Sequence, residues 1–146
     1  MAGPSSTSRS TTDAALLLLR IGFAGLLIGF HGWARAHRAA GFLFYGQPWT
    51  FVDVVGRLGF PFPAFFAVMS VASESLGVLL LIPGYFTRVA AFFSVVNFSV
   101  ALYNEMHKGD PWELPALYLL MALVILIAGP GGWSLDGRGR KSRSAG

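Results

Sequence analysis

Four long apolar runs restrict what this chain can fold into more than any other feature. Residues 14–33 are apolar but for Arg20 and His31, and residues 63–83 carry Glu74 as their one charge. Residues 86–106 carry Arg88 at the start, Asn97 near the middle and Glu105 near the end; residues 112–128 hold no charge after Glu113. The runs are 17 to 21 residues long, the length an α-helix needs to cross roughly 30 Å of hydrocarbon. A soluble bundle helix would keep a polar face at the helical period. The stretches LLLLRIGFAGLLIGF, FFAVMSVASESLGVLLLI and LPALYLLMALVILIA keep none. The expected fold is therefore all-α: an integral membrane, antiparallel four-helix bundle lying in the lipid bilayer.

Composition agrees. Of 146 residues, 54% are hydrophobic and 12% charged, too little polar material to cover a small soluble domain. There is no cysteine, which excludes disulfides, thiol redox pairs and iron–sulfur clusters ligated by this chain. The net charge of +4 does not point to nucleic acid, because the basic residues flank the apolar runs and gather in the tail GRGRKSR. That tail reads as a topology anchor at anionic headgroups.

Three regions follow. Residues 1–13 form a polar tail expected to be disordered, residues 14–136 the membrane domain, and residues 137–146 a basic tail. Four spans put both termini on one side. Arg9, Arg88, Arg138, Arg140, Lys141 and Arg143 lie there, against Arg35, Arg38, Arg57 and Lys108 opposite; the positive-inside rule makes the terminal side cytoplasmic. A cleaved signal peptide ending near Ala34-Arg35-Ala36 is the alternative for the first run. All four Trp (33, 49, 112 and 133) fall at expected water–lipid boundaries.

Local signals set the ends. Asp110-Pro111-Trp112-Glu113 supplies a cap, a proline at the first helical position and a glutamate at the third. Gly129-Pro130-Gly131-Gly132 stops the fourth helix, and Pro83-Gly84 leaves only a short turn between the second and third, making them antiparallel neighbours. In the long segment 34–62, Thr50 as cap and an Asp53–Arg57 pair predict a short interfacial helix.

Ionisable groups in hydrocarbon are costly and therefore candidates for function. Arg20 lies ~9 Å and Glu74 ~14 Å from the inner boundary at 1.5 Å per residue, so a pair between them is expected, either fixing helix register or serving a site. At 100° per residue Arg20 and His31 fall about 20° apart, while Gly22, Gly25, Gly29 and Gly32 cluster opposite. The glycine face allows close approach to a neighbour or a second copy. Ser70, Glu74 and Gly77 share one face of the second helix; Ser94, Asn97, Ala101 and Asn104 share one of the third. Turned inward, these make a polar seam around Arg20, Glu74 and Asn97. His31, Glu105, His107 and Glu113 would gather at the outer end. None has the spacing of a known metal motif, and no cofactor-binding motif is visible.

The order of certain motifs resembles a known pattern. L-L-R-I-G and His31-Gly32-Trp33 stand in the first helix, and Glu74-Ser75-Leu76-Gly77 in the second. Pro83-Gly84-Tyr85-Phe86-Thr87-Arg88 opens the third, and Gly129-Pro130-Gly131 with Trp133-Ser134-Leu135-Asp136 follows the fourth. In this the chain resembles the DoxX family of small four-helix bacterial membrane proteins over roughly residues 14–137. The resemblance implies the bacterial plasma membrane and an association with quinone-linked membrane redox systems. On that expectation a lipophilic quinone would be the substrate of an oxidoreductase subunit. Arg20, Asn97, Asn104, Glu105 and His107 would bind it, Glu74 or His31 would handle protons, and a partner protein would supply electrons. Two other readings stand beside it: a non-enzymatic assembly subunit binding a partner through the glycine face and segment 34–62, and a small-solute carrier.

Overall fold

A computed structural model of the chain describes residues 6–137, with side chains from Ser10 onward except those of Phe30 and His31. The described residues form six α-helices and one π-helical segment: α1 (Ser6–Leu27), the π segment (Ile28–Gly32), α2 (Trp33–Tyr45), α3 (Thr50–Arg57), α4 (Pro63–Leu81), α5 (Thr87–Lys108) and α6 (Glu113–Ala128).

Three stretches are long and apolar enough to cross a membrane: Ser10–Leu27, Pro63–Leu81 and Thr87–Lys108. Helix α6 is equally apolar but shorter, at 16 residues. Large apolar side chains cover the outside of these helices, with Leu18 and Ile127 each 77% exposed. Water would not tolerate so continuous a surface; hydrocarbon does.

Helices α1, α4, α5 and α6 share one core. Phe23 packs edge-on against Phe98 and Tyr118, and Ala24, Val78, Ala91, Ala122 and Ile125 fill the gaps. Small residues at these contacts let the backbones approach closely. Helices α4 and α5 run antiparallel, as the short turn requires: a Cβ at Gly77 would sit 3.8 Å from Ser94, and Ser70 bonds to Asn97. Gly84, at φ +69°, ends α4 in a Schellman turn, with Tyr85 N–H donating to Leu80 and Gly84 N–H to Leu81. Gly109 repeats the device after α5.

A second, smaller core lies where α2, α3 and α4 meet. Ala39, Trp49, Val55, Ala67 and Val71 form it. Trp49 is buried here between Phe42 and Phe51. It is a packing residue and not the boundary anchor its position suggested, because the loop after α2 turns back onto α4. Trp33, Trp112 and Trp133 remain exposed.

Several ends differ from the sequence reading. Helix α1 begins at Ser6 and so takes in residues expected to be disordered; Asp13 accepts a hydrogen bond from Gly132 N–H, which ties this early turn down. The first helix also does not stop at Trp33. It widens into the π segment and continues as α2 with every junction residue in right-handed helical geometry. Helix α6 begins at Glu113, with Asp110-Pro111 left in the loop. Pro115 explains this: in a helix starting at Pro111, Pro115 would occupy the fifth position, where its missing N–H costs a bond and its ring meets a carbonyl. Starting at Glu113 places it within the first turn. The interfacial helix is present as α3, but neither Thr50 nor any other side chain caps it. The ion pairs among the described residues are Arg35–Glu74 and Lys108–Glu105, so Asp53 and Arg57 do not join.

Candidate functional site: a groove floored by an ion pair

Glu74 sits on α4 with its carboxylate almost wholly buried. Its expected partner, Arg20, is elsewhere. Arg35 takes that place: one guanidinium nitrogen donates to Oε1 at 2.9 Å and to Oε2 at 3.2 Å. Asn97 on α5 donates from Nδ2 to the same Oε1 at 2.6 Å, and its Oδ1 accepts from Ser70 Oγ at 2.6 Å. The result is a chain, Ser70–Asn97–Glu74–Arg35, that crosses from α4 to α5, back to α4 and on to α2. Every member satisfies another, as buried polar groups must.

Ser70, Glu74 and Asn97 occupy the helical faces expected of them, and Arg35 joins them from outside the expected seam. The signal was present. Arg35 follows His31 by one helical turn, and so extends the polar face of the first helix. Ending that helix at Trp33 hid it.

Above the chain lies a cavity of about 300 Å³ between α3, α4 and α5. Its walls are apolar and aromatic, with Phe51, Leu58, Phe66, Met69, Phe93 and Val100 among them. Its polar lining comes from Arg35, Ser70, Ser73, Glu74, Asn97, Asn104 and Glu105. Arg35 also stands 5.7 Å from the centre of the Phe51 ring, a cation–π distance. An apolar pocket with a few convergent polar groups is the usual form of a small-molecule site.

The other expected site residues divide. Asn104 and Glu105 line the cavity and bond to each other at 2.9 Å, with Lys108 3.7 Å from Glu105. His107 is outside it: exposed, with Nδ1–H donating to the Tyr103 carbonyl at 2.9 Å. Glu113 is exposed at the start of α6. The side chain of His31 lies outside the described residues.

Arg20 belongs to a different cluster, at the opposite end of the core. It is fully buried and donates to the carbonyls of Leu81 at 3.4 Å and Trp133 at 3.1 Å. Asp136 supplies the nearby negative charge, and also accepts two amides at the start of α5, from the N-cap Phe86 at 3.1 Å and from Thr87 at 2.9 Å. Leu135 and Asp136 N–H groups donate back to Pro83 and Gly84. The reason Arg20 and Glu74 do not meet is one of depth. The end of α4 and the loop after α6 offer Arg20 the Leu81 and Trp133 carbonyls close at hand, and these cost less than reaching to the middle of α4.

These interlocked connections are the segments 82–86 and 129–136, and the long apolar helices carry the remaining motifs. A family model for DoxX matches residues 15–108. The chain belongs to the DoxX family. The match runs from within α1 to the end of α5, which includes Arg35, Glu74, Ser70 and Asn97 of the DoxX chain's seam. No curated protein and no solved structure matches it.

Proposed function

We propose that this DoxX protein spans the bacterial plasma membrane four times, with both termini cytoplasmic, and holds a lipophilic ligand in the groove between α3, α4 and α5. In this reading it is a subunit of, or accessory to, a quinone-linked redox system. The observation that carries it is the hydrogen-bonded chain Ser70–Asn97–Glu74–Arg35, with Glu74 buried, at the floor of an otherwise apolar groove. The apolar walls suit a chain or ring arriving from lipid, and the floor offers donors from Arg35 and Asn97 to an oxygen atom. Glu74 is the group that exchanges a proton with the ligand; electrons come from a partner oxidoreductase. The topology rests on Arg88 and the basic tail after Gly137.

The test is titration of the purified protein in nanodiscs with a short-chain ubiquinone analogue, read by quenching of Trp49, whose ring lies 5.4 Å from that of Phe51 in the groove wall. Saturable quenching that Asn97→Leu weakens supports the reading. Absence of saturable binding by a folded protein rejects it.

A partner-binding role has its own observation. Gly22, Gly25 and Gly29 are exposed, and a Cβ at any of them would meet nothing within 4 Å. Such a face suits a second copy or a partner helix. Gly32 does not belong with them, since its Cβ would lie 3.1 Å from the Leu27 carbonyl. Crosslinking through Gly25→Cys in membranes tests the face.

A further inference from the structure

The groove has a neighbour. Across the Arg35–Glu74 pair lies a second cavity of about 270 Å³, walled by Leu27, Phe98, Leu114 and Tyr118. Arg35, Glu74, Ala101 and Glu105 line both cavities, so the two adjoin across the ion pair and the small side chain of Ala101.

Tyr118 is the informative residue. It is 2% exposed, with its ring stacked on Phe98 at 4.9 Å and edge-on to Phe23 at 5.9 Å. Its hydroxyl, however, has no hydrogen-bond partner. A phenol this deeply buried normally finds one. The ring packing holds it in place, and the hydroxyl is a donor that an acceptor in the adjoining cavity would satisfy.

The charges around that space restrict the occupant. Arg35 is the one cation in the lining, and it is already engaged by both oxygens of Glu74. Glu105 adds a second carboxylate, with Lys108 3.7 Å away outside the lining. An anionic head would meet two carboxylates and a cation whose charge Glu74 already offsets. A neutral oxygen acceptor meets the free O–H of Tyr118.

Resting on the ligand-binding reading above, we infer that this second cavity is the head-group subsite of the same ligand, and that Tyr118 donates to that head group. The ligand is then an uncharged amphiphile bearing an acceptor oxygen, and neither a fatty acid nor an anionic phospholipid.

Three probes sharing one tail test this in nanodiscs of neutral lipid: decylcyclohexane, 4-decylcyclohexanone and 4-decylcyclohexanecarboxylate, each measured by its shift of thermal unfolding with concentration. The ketone should bind about fivefold more tightly than the hydrocarbon, the value of one net hydrogen bond. The carboxylate should bind no better than the hydrocarbon. Tyr118→Phe should abolish the ketone's advantage while hydrocarbon binding stays as in the parent, which also shows that the variant is folded. Glu105→Gln should improve carboxylate binding and leave the ketone's advantage intact. If Tyr118→Phe keeps the ketone's advantage, or the carboxylate binds best to the parent, the subsite is wrong while the groove stands. If neither hydrocarbon nor ketone binds, the groove reading itself fails and takes the subsite with it.

Discussion

Arg35 reaches from α2 to hold both carboxylate oxygens of Glu74, at 2.9 and 3.2 Å, and the two partners differ sharply in their access to solvent. The Arg35 side chain is 40% exposed and that of Glu74 is 5% exposed. The pair is therefore buried at one end only. Its disruption costs different amounts depending on which partner is removed, because an uncompensated charge is tolerated where it can reach a polar medium and not where it cannot.

That asymmetry gives the first prediction. Arg35→Leu strands the Glu74 carboxylate with Asn97 as its remaining donor and should destabilise the protein by about 3 kcal/mol. Glu74→Leu frees a guanidinium that can turn outward, and should cost roughly 1 kcal/mol. The double change should be no worse than Arg35→Leu alone. Thermal unfolding in detergent measures all three, and equal losses for the two single variants would contradict the arrangement.

Arg20 should behave independently of that pair. It shares no hydrogen-bond partner with Glu74, so losses from Arg20→Leu and Glu74→Leu should add to within about 0.5 kcal/mol. A coupling well above that value in a double-mutant cycle would show contact between the two clusters.

Asp136 caps α5 from 49 residues away in sequence. Asp136→Ala leaves the amides of Phe86 and Thr87 without their acceptor and removes a negative charge from a helix N-terminus. The expected cost is about 1–2 kcal/mol. Hydrogen exchange at these two amides should accelerate, while amides in the middle of α5 should exchange as before. Unchanged exchange at Thr87 would remove the capping role.

Gly84 is the point where a side chain is least tolerable. Its φ of +69° disfavours any Cβ, and a Cβ there would overlap the Arg20 guanidinium and Ser134. Gly84→Ala should cost about 2 kcal/mol or more, and most of that should remain in an Arg20→Leu background, because the φ strain and the Ser134 overlap persist. Circular dichroism melts of the single and double variants decide it.

Much of this architecture could be read from residue order, and the reasons for the exceptions are specific. Apolar length located α4 and α5 to within two residues at each end. Helical phase put Ser70, Glu74 and Asn97 on facing sides, where they bond. What phase cannot supply is where a helix stops when no breaker is present. Trp33-Ala34-Arg35-Ala36 contains neither proline nor glycine, so α2 simply continues, and Arg35 moves from an outer loop into the site. Tyr118 gave no signal either, since one hydroxyl in an apolar run looks like packing until its lack of a partner is seen. Arg20 was singled out correctly as a buried charge, but main-chain carbonyls leave no trace in a sequence, and those are what it binds.

The distance along the chain between Thr87 and Asp136 also has a consequence for biogenesis. A ribosome adds roughly 5–20 residues per second, so α5 emerges with its leading amides bare and waits for several seconds before the carboxylate that will cover them has been made. Until then Arg20 also lacks the Trp133 carbonyl. The insertion machinery therefore receives three helices whose ends near Arg20 and Thr87 are still open, and translation of the last loop is the event that fastens them.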